Sequence, residues 1–181
     1  MADTNTIQLP LHGKNPGSAN NFAIVSPNKK DTITKHKWYL GKDNYPYAYI
    51  DGARVHLHRY VWYLNTGIYY NTFIDQFDPN GLPVKYYVDH INRNKLDATD
   101  ENLRLATPAE NSYNKTSKSN IIDPTTNEPL HHIKWKKTGY EVVISKADIT
   151  NKIDGISTLE EAKQIYNLMA TEMFGEYAVL Y

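Results

Sequence analysis

The stretch from Val84 to Lys115 constrains this chain more than any other. A β-rich run, Val84–His90, is followed by a long polar turn and a second β-rich run, Leu103–Ala106. Thr107-Pro108-Ala109-Glu110 then reads as the start of a helix. The Thr107 hydroxyl suits the cap, Pro108 suits the first helical position, where its missing N–H costs nothing, and Glu110 three residues on completes a capping box. The order is therefore strand, long turn, strand, helix.

The same stretch carries the chemistry-bearing side chains. Asp89 and His90 are neighbours at a strand end, so they point to opposite sides and serve different partners. Asn111 falls in the first turns of the helix, facing back toward that strand end. An oxygen pair of Asp89 and Asn111 suits a divalent ion with open positions for water and phosphate oxygens, as Mg²⁺ prefers. The chain has no cysteine, so disulfides and thiolate zinc sites are excluded and a metal must sit on His, Asn, Asp or Glu. His90 supplies a base whose ordinary pKa near 6.5 suits work at neutral pH. Base, cation and rigid positioning are what phosphodiester hydrolysis requires. Taken singly these residues say little: Asn102 alone suits a turn, Asn111 alone a solvated helix, and Asn114, one turn along, is a rival ligand.

The rest of the chain divides around this stretch. The first sixty residues read as strands separated by turn chemistry: TIQLPL, NFAIVS, then KWYLGKDNYPYAYIDGARVHLHRYVWYL. Tyr45, Tyr47, Tyr49, Val55 and Leu57 alternate on either side of Asp51-Gly52, a hairpin signal. Tyr60–Asn65 is long enough for one or two helical turns, and 65–83 reads as a loop. Ser119–Leu130, with Asp123-Pro124 and Glu128-Pro129, reads as a linker. Basic strands around Ile133–Trp135 and Tyr140–Ile144 precede a helix from Ser157 to about Phe174, with Ser157 and Glu160 as its capping box and Gly175 as its stop. Ala162, Ile165, Tyr166, Met169 and Met173 share its inner face. Trp135 is assigned to the core.

The formal net charge is zero, which at first argues against a nucleic-acid partner. The zero hides a gradient: residues 1–88 carry nine Lys and Arg against six Asp and Glu, 89–120 five against five, and 121–181 six against nine. Within the last part, Lys134, Lys136, Lys137, Lys146 and Lys152 face only Glu141 and Asp148 over 131–152, so a local basic face is available. Fifteen tyrosines serve sheet and rim packing first, with base or sugar stacking as their other use. No run of 18 apolar residues and no basic-then-apolar leader is present, which points to a cytoplasmic protein without membrane contact.

VDHINRNKLDATDENLRLATPAENSYNK resembles the HNH endonuclease family, in particular the phage and intron homing branch with an Asp-His pair and Asn in the third place. His90 to Asn102 is 12 residues and Asn102 to Asn111 is 9. The resemblance implies that Asp89 and Asn111 bind Mg²⁺, with Mn²⁺ also supporting activity, and that His90 is the general base. It also implies that Asn102 fastens the long turn by side-chain hydrogen bonds to backbone. His58-Arg59 resembles the His-Arg pair that precedes the catalytic strand in such proteins. His58 is assigned a supporting or core role, and Arg59 suits a core ion pair or a phosphate contact. Residues 130–181 resemble the Apetala-two/ethylene-response DNA-binding domain, carried by Trp135, Lys136, Lys137, Gly139-Tyr140, LEEAKQIYNLMA and FGEYA, with the third strand blurred at ADITNKIDGIS.

The expected fold class is α+β. It comprises a β-rich platform over 1–65 and a ββα-metal motif over 84–119, both in a 1–120 endonuclease domain, then a 121–130 linker and a 131–181 domain of three strands on one helix. The expected activity is hydrolysis of double-stranded DNA to 5′-phosphate and 3′-hydroxyl ends, by a phage-encoded protein in the host cytoplasm. A monomer would nick, and a homodimer or two events would break the duplex. Arg59, Arg93, Arg104, Lys115, Lys118, Lys134, Lys136, Lys137 and Lys146 are the expected DNA contacts. The competing readings are a non-cutting DNA-binding protein of the same fold and an RNA-directed nuclease.

Overall fold

The structure, a computed structural model, describes residues 6–12, 22–68, 74–77, 83–113, 121–127 and 129–181. The chain mixes strands and helices in an α+β arrangement and forms two compact units, Met1–Pro108 and Ala109–Tyr181.

The first unit contains β1 (Ile7–Pro10), β2 (Phe22–Val25), α1 (Lys30–Ile33), β3 (Tyr39–Leu40), β4 (Pro46–Ile50), β5 (Ala53–His56), α2 (Leu57–Thr66), β6 (Ile74–Phe77), β7 (Pro83–His90), β8 (Asp97–Ala98) and β9 (Leu103–Ala106). These strands make three sheets in the orders β1-β2-β8, β3-β4-β5 and β6-β7-β9. The β4–β5 hairpin closes on Asp51 (φ 51) and Gly52 (φ 79), the two left-handed residues that a tight turn between right-twisted strands demands. Its inner face sends Ala48, Ile50 and Val55 into a core shared with Leu9, Val25, Ile33, Trp38, Leu57 and Val61. The buried Trp38 indole donates to the Ile33 carbonyl at 2.8 Å, so its N–H stays satisfied out of water.

Several expectations for this region need correction. The first sixty residues are not strands alone, since α1 and a preceding 3₁₀ turn at Pro27–Lys29 intervene. Leu57 is not the end of a strand but the first residue of α2, which runs past the expected Tyr60–Asn65 in both directions. Leu57, His58, Tyr60 and Val61 are its buried residues, and Leu57 satisfies both the strand and the helix period. Gly67, at φ 71, ends the helix with its N–H on the Tyr63 carbonyl. The expected 65–83 loop contains β6, paired antiparallel with β7 from Phe77↔Pro83 to Ile74↔Tyr86.

The 83–113 stretch runs as β7, a turn, β9 and then the short helix α3 (Pro108–Tyr113), within which the boundary between units falls. The second unit adds β10 (Ile133–Lys136), β11 (Gly139–Lys146), β12 (Ile149–Ile156) and α4 (Leu159–Phe174). The three strands form one antiparallel sheet in sequence order. α4 buries Ala162, Tyr166, Ala170 and Phe174 against Ile133, Val142, Ile144 and Ile156. Its cap is Thr158, whose hydroxyl accepts from Glu161 N–H, so the expected Ser157–Glu160 pair is one residue early. β12 is a full strand where blurring was expected, because only Ile156 of it is buried and no alternation is visible in its sequence. Trp135 is not core: it is 59% exposed and edge-on to Tyr140 at 4.7 Å.

The described part of the 121–130 segment is not a free linker. Ile122 bridges Pro129, Leu130 is buried in the second core, and Asp123 pairs with Lys163 of α4 at 2.7 Å. No helix among the described residues is long and apolar enough to cross a membrane.

Candidate functional site

Asp89 and His90 close β7 as the cross-strand partners of Arg104 and Leu103 on β9. Strand alternation turns the two side chains to opposite sides. Asp89 is buried, and its Oδ2 accepts from both Nε and Nη2 of Arg104 at 3.2 Å. A carboxylate held away from water needs a cation or several donors, and Arg104 provides the cation. Arg104, expected at the phosphates, thus has its guanidinium on Asp89, with 11% of its side chain exposed.

The connection between the two strands is built from its own polar groups. Ile91 N–H donates to the Asn102 carbonyl at 2.9 Å, and Arg93, held at φ 63, donates its N–H to the His90 carbonyl at 3.0 Å. The buried Asn102 amide works at both ends: Oδ1 accepts from Asn92 N–H at 2.9 Å and Nδ2 donates to the Asp97 carbonyl at 2.7 Å. Asn92 Nδ2 also donates to Asp97 Oδ2 at 2.7 Å, while Asn94 Oδ1 accepts from Leu96 N–H. Removing either amide bond would leave a backbone group short of a partner at about 1–3 kcal/mol. The end of β7 is therefore fixed in place.

His90 lies on the other side of β7 in a nest of rings. Its centroid is 4.8 Å from His58 and 5.9 Å from Tyr45, while His58 stacks on His56 at 5.6 Å. Tyr45 touches all three imidazoles, reaching His56 at 5.4 Å and His58 at 5.1 Å. Lys95 Nζ sits 4.3 Å over the Tyr45 ring and donates to the Asp43 carbonyl, and Asp43 faces His56 and Arg54. Burial pushes His90 down to about 4, with Asp97 pulling the other way and Lys95 adding to the fall. Burial likewise holds His58 well below the ordinary histidine value, helped by His90, His56 and Arg59. His58 Nδ1 is buried without a hydrogen-bond partner among the described residues. Burial is also the main reason the Tyr45 hydroxyl is raised, with Asp89 and Asp43 contributing. At neutral pH the imidazoles of His58 and His90 are uncharged.

The remaining candidates are dispersed. Arg59 is half-buried and makes no ion pair among the described residues, and Arg93 is half-buried in the β7–β9 turn. Asn111 is half-buried in α3. Asn114, Lys115 and Lys118 lie outside the described residues. In the second unit, register and alternation put Lys134 and Lys136 on the sheet face away from α4, with Lys137 in the following turn. Lys152, counted in the basic face but not among the expected DNA contacts, shares that face and reaches Glu141 at 2.8 Å, where Lys136 also approaches at 3.7 Å. Lys146 is on the opposite side, donating to the Met173 carbonyl of α4.

Sequence reasoning passed over Tyr45, His56, Lys95 and the Asp89–Arg104 pair. The signals were present. Counting outward from Asp51-Gly52 sets Tyr47 opposite His56 and carries Tyr45 toward His58, and the register that pairs His90 with Leu103 pairs Asp89 with Arg104.

Residues 55–113, which span α2, β7, the fixed turn, β9 and α3, match the family described as HNH endonuclease. A protein of Acanthamoeba polyphaga mimivirus, described as an uncharacterized HNH endonuclease, is 40% identical over 172 residues, covering 95% of this chain and 79% of the relative. Protein 3.8 of Escherichia phage T7 is 58% identical over 57 residues, or 31% of this chain and 42% of that protein. No solved structure matches the chain. The likeness to the mimivirus protein runs through nearly the whole sequence, well beyond the matched motif, and the chain belongs to the HNH endonuclease family.

Proposed function

We propose that the chain is a metal-dependent endonuclease acting on double-stranded DNA, with β7, β9 and α3 as a ββα-metal core. The observation that carries this reading is the placement of Asp89 and His90 on opposite sides of a strand end that Asn102 fixes through both ends of its amide. His90, neutral above about pH 4, can accept a proton from the attacking water, which a protonated ring could not. The ring nest and the fixed turn hold that imidazole in one place.

The donor chemistry fits a hard divalent ion. Among the described residues no group of three or more His, Asp or Glu is placed to hold a metal, so the ion would rest on the Asp89 carboxylate, the Asn111 amide oxygen and water. Bound there, Mg²⁺, or Mn²⁺ in its place, would supply the charge that steadies the phosphate and the leaving oxygen. Asp89 and Asn111 would orient it. Arg59 and Arg93 in the first unit, Lys115 and Lys118 after α3, and Lys134, Lys136 and Lys137 in the second would meet backbone phosphates, with the second unit acting as an Apetala-two-like DNA-binding domain. The relative from phage T7 supports a phage-encoded protein; a homing-type role in the host cytoplasm belongs to the same proposal. One such site cuts one strand, so a monomer nicks and a homodimer breaks duplexes.

A second reading, a non-cutting DNA-binding protein of the same fold, is favoured by one observation: Arg104 already neutralises Asp89. Supercoiled plasmid incubated with the protein in Mg²⁺ or in EDTA separates the two. Open-circle or linear product in Mg²⁺ alone is the outcome expected of the enzyme, and retarded but intact plasmid in both is that of the binder.

A further inference from the structure

The outer face of the β3–β4–β5 sheet is aromatic where a half-solvated sheet ordinarily shows polar side chains. Alternation buries Pro46, Ala48, Ile50 and Val55 and turns Tyr45, Tyr47, Tyr49, Arg54 and His56 outward. Tyr39 of β3 joins them as the cross-strand partner of Tyr47. The rings touch in series: Tyr49 to Tyr47 at 5.9 Å, Tyr47 to Tyr39 at 5.8 Å, and Tyr39 to His12 at 5.9 Å. The Arg54 guanidinium lies 4.2 Å over the Tyr47 ring, and Tyr49 is 65% exposed. The fold does not need a tyrosine there, because the hairpin's burial is carried by the opposite face.

The strip continues into the candidate active site. Tyr47 is the cross-strand partner of His56, His56 meets Tyr45 at 5.4 Å, and Tyr45 meets His90 at 5.9 Å. A cation stands over two of its rings, Arg54 on Tyr47 and Lys95 on Tyr45. We propose that this strip is a track for an unpaired DNA strand, whose bases stack on Tyr49, Tyr47 and Tyr39 while its backbone runs toward His90. In a duplex each base face is covered by its neighbours, so exposed aromatic side chains on a sheet take splayed bases and not paired ones. Arg54, which also pairs with Asp43 at 3.4 Å, and Lys95 are the cations beside the strip for the phosphates of the same strand. The substrate class follows: DNA with a single-stranded segment beside the cleaved bond, such as a gap, a branch or a displaced strand. This rests on the nuclease reading for its choice of ligand.

The test is metal-free binding by the full chain, followed by fluorescence anisotropy with labelled oligothymidylate and with a duplex of equal length. Tyr49→Ala is expected to weaken oligothymidylate binding by roughly 5- to 100-fold, as loss of one stacked base does. Tyr49→Phe should restore it, and duplex affinity should stay unchanged in both variants. Single-strand affinity equal to wild type in Tyr49→Ala, or an equal loss on strand and duplex, would overturn the track. Thermal melting of Tyr49→Ala is expected to match wild type, since the side chain is mostly in water. Cleavage is not read here, so a chain that binds strands through Tyr49 but never cuts plasmid fails only as a nuclease. One that cuts plasmid but ignores Tyr49 fails only this proposal.

Discussion

With ring centroids 4.8 Å apart and both side chains out of water, His58 and His90 cannot be protonated cheaply in the folded chain. The unfolded chain protonates both near pH 6.5, whereas His90 in the folded chain waits until about 4 and His58 is also held well below the ordinary value. Their folded values are depressed, so the stability they allow is full above about pH 6.5 and is lost as the pH falls through that window. For His90 alone the loss approaches ~3 kcal/mol by pH 4. Denaturant titrations of the metal-free protein across this range should show the decline, and His58→Phe should flatten it. An equally steep decline in the variant would place the acid sensitivity elsewhere. The sequence singled out Asp89, His90 and Asn102 because their chemistry is carried by residue type and spacing. It hid Tyr45 and His56, whose part depends on hairpin register, and it hid the Asp89–Arg104 pair, which depends on the register of β7 against β9.

At the scale of elements, the parts that announced themselves had strong local chemistry: Asp51-Gly52 at the hairpin, Gly175 after the last helix, and the amphipathic face of α4. Elements stabilised chiefly by a neighbour did not. β6 pairs with β7, and β12 exists through its pairing with β11 and shows no burial alternation of its own that could be read beforehand. The Asp123–Pro124 turn reads as a linker because its ion pair with Lys163 spans distant parts of the sequence. Cap chemistry at α4 is right in kind and displaced by one residue, since Ser157 and Thr158 are equally good caps and each has a Glu three positions on. The observed Thr158–Glu161 hydrogen bond makes a direct prediction. Thr158→Ala should destabilise the second unit by about 1 kcal/mol, while Ser157→Ala should be close to neutral. Chemical denaturation of the two variants checks it, and the reverse order would move the cap to Ser157.

The whole molecule holds two compact units, each with its own buried core, so the first should survive without the second. A chain ending at residue 120 is expected to melt cooperatively by circular dichroism. It should also bind duplex DNA more weakly and with a shallower salt dependence, the log–log slope falling by ~0.9 for each phosphate that Lys134, Lys136 and Lys137 no longer neutralise. An unchanged slope in a folded truncation would remove the second unit from DNA binding. The role of His90 as the base of a metal-dependent nuclease is tested by the initial rate of supercoiled-plasmid cleavage in Mg²⁺ by His90→Ala beside wild type, with duplex affinity measured in parallel. A rate lower by ~10²–10⁴-fold at nearly unchanged affinity is expected; cleavage by the variant at the wild-type rate would remove His90 from the mechanism.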